Sequence, residues 1–294
     1  MPQTAEWKLA QIRPTVWRLT DVGDNRSFLV TGEKSALLVD TGEGLGDLRA
    51  TVEGLTSLPV TVVLTHHHHD HIGCCYQWPE VWLSEVDDGQ WDQEEAFHER
   101  VRAQLIEKYD LSEDSCYPVV SGKRPAVKHL TDGQAFDLGG NVVRTVSLPG
   151  HTLGGMGFLV EGERLLLAGD AVTPIMTLFY EDSTSIDEWE NTLHIMQELD
   201  YEVWVNAHYD KEYTKADLDS WLELVEFSKA DRGFRWENDS LPELKGQLHV
   251  MSPMDMDPDS PDYRGLIEKP KPRKHTGRRR RRQKAAESNG TEAD

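Results

Sequence analysis

The chain has 294 residues, with 31 Lys+Arg against 52 Asp+Glu and a formal net charge of −21. The charge is uneven: from Arg264 onwards there are 11 basic and 4 acidic residues, which leaves 20 basic and 48 acidic residues in 1–263. Such an acidic body repels polyanions, which argues against a domain built for nucleic acid, and no run approaches the roughly 18 apolar residues of a membrane span.

The chain begins Met-Pro-Gln-Thr-Ala-Glu, with neither a basic n-region nor an apolar h-region. Three cysteines (Cys74, Cys75, Cys116) cannot form a disulfide framework. A reducing, cytoplasmic setting is therefore expected.

Taken in chain order, short β-branched or apolar runs bounded by turn residues predict strands at Thr15–Leu19, Ser27–Val30, Ala36–Val39, Thr61–Leu64 and Val81–Leu83. Between the third and fourth, Leu48, Val52 and Leu55 fall at helical spacing and stop before Pro59, which predicts a helix within Gly46–Leu58. A second periodic stretch, Gln90–Tyr109, predicts an amphipathic helix inserted between two halves of the chain, within a helical insertion of about 85–125. The second half repeats the grammar, with strands at Val142–Leu148, Gly157–Val160, Arg164–Ala168 and Val203–Val205. Helices follow at Ile186–Leu199, with Ser185 and Glu188 in capping-box spacing, and at about Lys215–Phe227. Two runs of strands, each with its own helices, predict two packed sheets with helices outside. Residues 251–263 are Pro/Asp/Ser/Met-rich and 269–294 are basic and polar, so one domain of residues 1–250 followed by a loosely attached or disordered tail, acidic and then basic, is expected.

The chemistry concentrates in Val62-Val63-Leu64-Thr65-His66-His67-His68-His69-Asp70-His71-Ile72-Gly73. An apolar strand delivers the chain into imidazoles and a carboxylate, which are ligands for borderline-soft metals such as zinc or iron. In extended backbone, His66 and His68 share a face while His67 and His69 point away, so His66 with His68, and Asp70 with His71, are natural ligand pairs. Three further candidates follow strands downstream: His151 in Pro149-Gly150-His151-Thr152, Asp170 after Leu165–Gly169, and His208 after Val203–Ala207. Ligands on strand-end loops of a rigid scaffold are the usual arrangement of a metal site.

With these motifs the sequence resembles the metallo-β-lactamase fold superfamily, in its glyoxalase II-like hydrolase branch, over roughly Val16 to Phe227. The resemblance implies a four-layer αββα sandwich with metals at one edge between the sheets. It implies that His66, His68 and His151 hold one divalent ion, that Asp70, His71 and His208 hold a second, and that Asp170 bridges them. Zinc is the first expectation, with iron or manganese as alternatives. A hydroxide between the two ions would then cleave a small ester, thioester, lactone or phosphoester, and Asp70 would also orient the attacking water or shuttle its proton. True class B lactamases lack the bridging carboxylate, so β-lactams are not expected as substrates. Asp40, in Leu38-Val39-Asp40-Thr41-Gly42, also matches a family loop and is expected to orient a ligand or to serve a turn.

The other features have plainer readings. Cys74 and Cys75 read as small core residues, His67 and His69 as outward or orienting histidines, and His98, His129 and His194 as packing or surface residues. The Gln90–Tyr109 helix, with Trp78, Trp82 and Trp91 nearby, reads equally as a substrate lid and as outer-layer packing. Tyr180, Tyr209 and Lys211 lie close to ligand motifs. The five arginines Arg278–Arg282 offer at most a weak nucleic-acid contact. Two alternatives stay open, a mononuclear iron persulfide dioxygenase-like enzyme using His66, His151 and Asp170, and a metal-dependent nuclease aided by the tail. The partner expected is a small-molecule substrate, not a membrane, and the sequence does not set the oligomeric state.

Overall fold

The protein is described here by a computed structural model, whose described residues are 4–91, 95–112, 124–230, 233–238, 244–253 and 256–269. Cys116 and Arg278–Arg282 lie outside them.

The first sheet runs in chain order: β1 (Lys8–Arg13), β2 (Val16–Thr20), β3 (Arg26–Thr31), β4 (Ala36–Val39), β5 (Val60–Val63), β6 (Glu80–Ser84) and β7 (Ala126–Leu130). Its first four strands pair antiparallel and the last four parallel. Helix α1 (Leu48–Leu55) crosses from β4 to β5, its start fixed by Asp47, whose carboxylate accepts the Ala50 N–H at 2.9 Å. Two short helices, α2 (His69–Ile72) and α3 (Glu85–Asp88), flank β6. Helix α4 (Glu95–Lys108) lies in the crossover from β6 to β7 and so belongs to the first half of the fold. The expectation that it separates the two halves is corrected by β7, a further parallel strand that returns to the first sheet.

The second sheet has the order β13-β11-β10-β9-β8, from β8 (Ala135–Asp137), β9 (Val142–Ser147), β10 (Met156–Val160), β11 (Leu165–Leu167) and β13 (Val203–Val205). Helix α5 (Ile186–Glu198) begins at the predicted capping box: the Glu188 N–H donates to Ser185 Oγ, while the Glu188 carboxylate accepts the Ser185 N–H at 3.0 Å. Helix α6 (Leu218–Lys229) closes the outer layer.

Alternation along the strands builds the layers. In β4, Leu37 and Val39 pack with Phe158, Val160, Leu165 and Leu167 between the two sheets, whereas Ala36 and Leu38 pack outwards with Leu48 and Val52 of α1. In β11 the middle residue, Leu166, points the other way, to Trp189 of α5 and Trp221 of α6. Helix, sheet, sheet, helix is the expected αββα order.

A third sheet, of order β12-β16-β15-β14, consists of β12 (Ile175–Leu178), β14 (Phe234–Glu237), β15 (Lys245–Val250) and β16 (Gly265–Glu268). Residues beyond 250 therefore join the fold, against the boundary and loose attachment expected there. Strand β16 pairs parallel with β12 and antiparallel with β15, and its Leu266 is fully buried with Met176 and Trp221. The intervening loop is anchored too, because Tyr213 Oη donates to the Pro261 carbonyl at 2.7 Å and the Arg264 guanidinium lies 3.8 Å over the Trp221 ring. Among the described residues, no helix is long and apolar enough to cross a membrane.

Candidate metal centre

Strand direction gathers the site. Strands β4 and β5 are parallel and in register at Val39 and Val63, so the loops carrying Asp40 and Thr65–His71 leave the same edge. Strands β11 and β13 are parallel and in register at Leu167 and Val205, so Asp170 and His208 emerge together from the second sheet. The loop after β9 adds His151.

All seven sequence candidates meet there. Donor atoms of His66, His68 and His151 lie within 4.8 Å of one another, as do those of Asp70, His71 and His208, and those of His66, His71 and Asp170. Asp170 stands between the two triads: its Oδ2 is 2.9 Å from His208 Nε2 and 3.8 Å from His151 Nε2, and its Oδ1 is 3.7 Å from His71 Nε2.

The donor set passes a chemical test for a divalent cation. His66 Nε2, His71 Nε2 and Asp170 Oδ1 are buried and have no hydrogen-bond partner among the described residues, which is costly unless something cationic takes them up. The opposite nitrogen of several rings is tied down. His71 Nδ1 donates to Asp40 Oδ2 at 2.9 Å. Thr65 Oγ1 donates to the same carboxylate at 2.8 Å and so accepts from His66 Nδ1 at 3.0 Å. His151 Nδ1 lies 3.0 Å from the Thr177 carbonyl. Each contact leaves the Nε2 lone pair facing the cluster, as metal-ligating histidines require. His68 is reversed: its Nδ1 lies 2.8 Å from His151 Nε2 and its Nε2 lies 3.4 Å from Asp182 Oδ2.

Electrostatics agree. Burial, reinforced by His71 and His68, holds His66 well below its ordinary pKa, and burial with His151 lowers His68 to about 4, so both rings are neutral at neutral pH, the form a metal ligand needs. Burial alone would raise Asp70 and Asp170, but His71, His69 and His208 outweigh it at Asp70, and His208 and His71 at Asp170, and hold both below the carboxylate range. Burial likewise opposes charge on His71 and His208, and the carboxylates Asp70 and Asp170 override it and raise both. Two ionised carboxylates that pull protons onto neighbouring rings will attract a divalent cation for the same reason.

A further tier of carboxylates holds the histidine loop from behind. Asp87 is buried and accepts from the His67 N–H (3.1 Å), Thr152 Oγ1 (3.0 Å) and the Gly154 N–H (2.9 Å), so it clamps the His66–His71 loop to the His151 loop. His67 lies between Asp87 Oδ2 (3.3 Å) and Asp182 Oδ2 (3.4 Å) and is buried, matching its expected orienting role and not an outward one. His69 Nδ1 is 2.8 Å from Glu43 Oε1, and His98 Nε2 donates to the Glu43 carbonyl at 2.8 Å. Burial pushes the Glu43 carboxyl up to about 7 against the opposing pull of His69. Sequence reasoning missed Glu43, Asp87 and Asp182, which stand far from the motifs with no spacing signal. Cys74 and Cys75 are buried free thiols, as expected, with burial raising both.

A cavity of about 480 Å³ opens onto the cluster. Among the described residues its lining includes Tyr180, Tyr209 and Leu244 and none of α4, whose Leu105 and Ile106 pack on Ala5, Leu45 and Leu111. The lid reading of that helix gives way to outer-layer packing.

The family profile described as "Metallo-beta-lactamase superfamily" matches residues 20–208, a span that contains all seven candidates. "Atrochrysone carboxyl ACP thioesterase" of Aspergillus fumigatus is 30% identical over 214 residues, covering 71% of this chain and 42% of the relative. "Hydroxyacylglutathione hydrolase" of Serratia proteamaculans is 28% identical over 151 residues, covering 51% of this chain and 47% of the relative. The chain spans about half the length of the curated relatives it matches. The fold is shared with "Metallo-beta-lactamase from Pontibacter korlensis", with a TM-score of 0.54 and 19% identity over 75% of this chain and 99% of that one. The chain belongs to the metallo-beta-lactamase superfamily.

Proposed function

We propose that this chain is a dinuclear metal-dependent hydrolase acting on thioesters of small acyl groups, with His66, His68 and His151 holding one ion, Asp70, His71 and His208 the other, and Asp170 both. The observation that carries the reading is the convergence of seven donors, three of which, His66, His71 and His151, have their Nε2 lone pairs aimed inwards by Thr65, Asp40 and Thr177. Thioesters are favoured among the substrates the sequence leaves open because relatives include an acyl carrier protein thioesterase and an acylglutathione hydrolase. When bound, divalent cations supply Lewis acidity, lowering the pKa of water and polarising a carbonyl.

The chain's own residues do the rest. Asp70, held ionised by His71, His69 and His208, would accept a proton from the attacking water and return it to the departing thiolate, so that thioester and water become acid and thiol. Asp170 fixes His208, and Asp40 fixes the tautomer of His71. No side-chain nucleophile is needed.

The test is a panel of thioesters, lactones, phosphodiesters and β-lactams run on protein of measured metal content. Two ions per chain with thioester turnover is the expected result. One iron per chain, with oxygen uptake on a persulfide and no hydrolysis, overturns the proposal.

A further inference from the structure

The cavity has two unlike walls. One carries the ligand candidates, including His68, Asp70, His151 and His208. The other is formed by Ile175 and Thr177 of β12, by Tyr180 just beyond it and by Leu244 just before β15. Of the threonines on this side, Thr173 Oγ1 donates to the Ile175 carbonyl at 2.9 Å, and Thr177 Oγ1 accepts from His151 Nδ1 at 2.8 Å and keeps its own proton. Apart from that proton and the Tyr180 hydroxyl, this wall offers a ligand the apolar side chains of Ile175 and Leu244 and the Tyr180 ring.

That surface is also rigidly backed. The Tyr180 ring stacks on Phe179 at 4.2 Å between centroids, and Phe179 rests on Trp236 of β14 at 5.3 Å. The Tyr180 centroid is 4.9 Å from that of His68 and 5.4 Å from that of His151, so the aromatic wall starts beside the ligand cluster. Trp236, Leu244 and strands β14–β16 all lie beyond residue 208, where the family match ends.

We infer that this wall is the acyl subsite, and that Tyr180, Ile175 and Leu244 make the enzyme select aromatic acyl groups over small hydroxylated ones. The inference rests on the thioester reading above for its reaction. A carbonyl carbon at the ligand cluster has its acyl substituent within reach of Tyr180, where a planar ring gains stacking and apolar burial. A hydroxyacyl group would instead leave its hydroxyl against a wall with few free polar partners.

Two measurements on the zinc-loaded full chain separate the inference from its premise. Calorimetry with 2-naphthoate and with lactate reads the subsite without any turnover: naphthoate should bind at least tenfold tighter. Leu244→Glu should erase that preference by weakening naphthoate binding at least tenfold. Naphthoate and lactate binding within threefold of each other in the parent protein overturns the inference, whether or not the variant folds. The second measurement compares kcat/KM for the 2-naphthoyl and lactoyl thioesters of N-acetylcysteamine, and a tenfold preference for the naphthoyl ester is expected. Equal turnover of the two overturns the acyl subsite and leaves the thioesterase intact. A naphthoate preference without hydrolysis of either ester supports the subsite and sinks the thioesterase.

Discussion

Replacing Asp40 tests the logic of the site most directly. Asp40 is 2% exposed and its two oxygens accept the Thr65 N–H (2.7 Å), Thr65 Oγ1 (2.8 Å) and His71 Nδ1 (2.9 Å). In Asp40→Ala the hydroxyl can turn elsewhere, but the buried Thr65 N–H and His71 N–H lose their acceptor. At about 1–3 kcal/mol each, the two orphaned donors cost roughly 2–6 kcal/mol. Asp40 also has φ of +60°, a left-handed conformation that costs alanine roughly a further 1–2 kcal/mol. Asp40→Asn separates the parts. It keeps an acceptor for the Thr65 N–H and tolerates the backbone, but its amide turns N–H groups towards Thr65 Oγ1 and His71 Nδ1 and so favours the wrong imidazole tautomer. Urea unfolding should show Asp40→Ala losing at least 2 kcal/mol and Asp40→Asn less. Chelator competition should show both binding zinc about 10–100-fold more weakly, the usual effect of losing a partner behind a ligand. An Asp40→Ala protein within 0.5 kcal/mol of the parent and with unchanged zinc affinity would refute the reasoning.

Four other outcomes follow from the same geometry. His68→Ala or Asp170→Ala should lose bound metal and hydrolysis together while keeping the far-ultraviolet circular dichroism of the parent; retained turnover in either variant removes it from the site. Asp87→Asn keeps one acceptor but breaks the clamp between the two ligand loops, so zinc affinity should fall about tenfold by chelator titration, with unchanged affinity as the contrary result. Glu43, surrounded by Asp21, His69, His98 and Asp70, has a folded pKa raised from 4.5 to about 7, so its contribution favours folding below pH 4.5 and is lost as pH rises to about 7. Glu43→Gln should therefore gain stability relative to the parent between pH 5 and pH 8, by up to about 3 kcal/mol, and a difference flat with pH in urea titrations would count against it. Truncation after Val250 removes β16 and exposes Met176 and Leu178, whereas truncation after Lys269 spares every described strand; only the first should lower the melting temperature, and equal melting would restore the domain boundary expected from sequence.

The legible parts of this chain are those where one local signal suffices. The apolar run Ala36–Val39, the Ser185–Glu188 capping box and the strand-to-loop placement of His66, Asp170 and His208 all encode their structure within a few residues. The third sheet was not legible, because β12 and β16 are four-residue strands whose partner lies about 90 residues away, and Gly265–Glu268 follows a Pro/Asp-rich loop that reads as unstructured. The return of β7 to the first sheet was hidden for a similar reason, since its largely exposed Ala-Val-Lys-His-Leu lacks the apolar density of a central strand. Asp87 and Asp182 look like any surface carboxylates in sequence; only tertiary packing turns them towards His67 and His68.

The carboxylates of this site divide their labour by position, and that division explains why an acidic body suits a cationic centre. Asp70 and Asp170 face the cluster and are kept ionised by the rings around them, so in the proposed dinuclear reading they would supply the negative charge that two divalent ions require. Asp40, Asp87 and Asp182 sit behind the histidines and use their charge to fix rings or loops. Removing an inner carboxylate should therefore abolish binding of at least one ion, whereas removing an outer one should weaken binding by a finite factor and restore it at high zinc. An outer variant that stays inactive in saturating zinc, with two ions bound, would mean that the outer tier enters the chemistry itself.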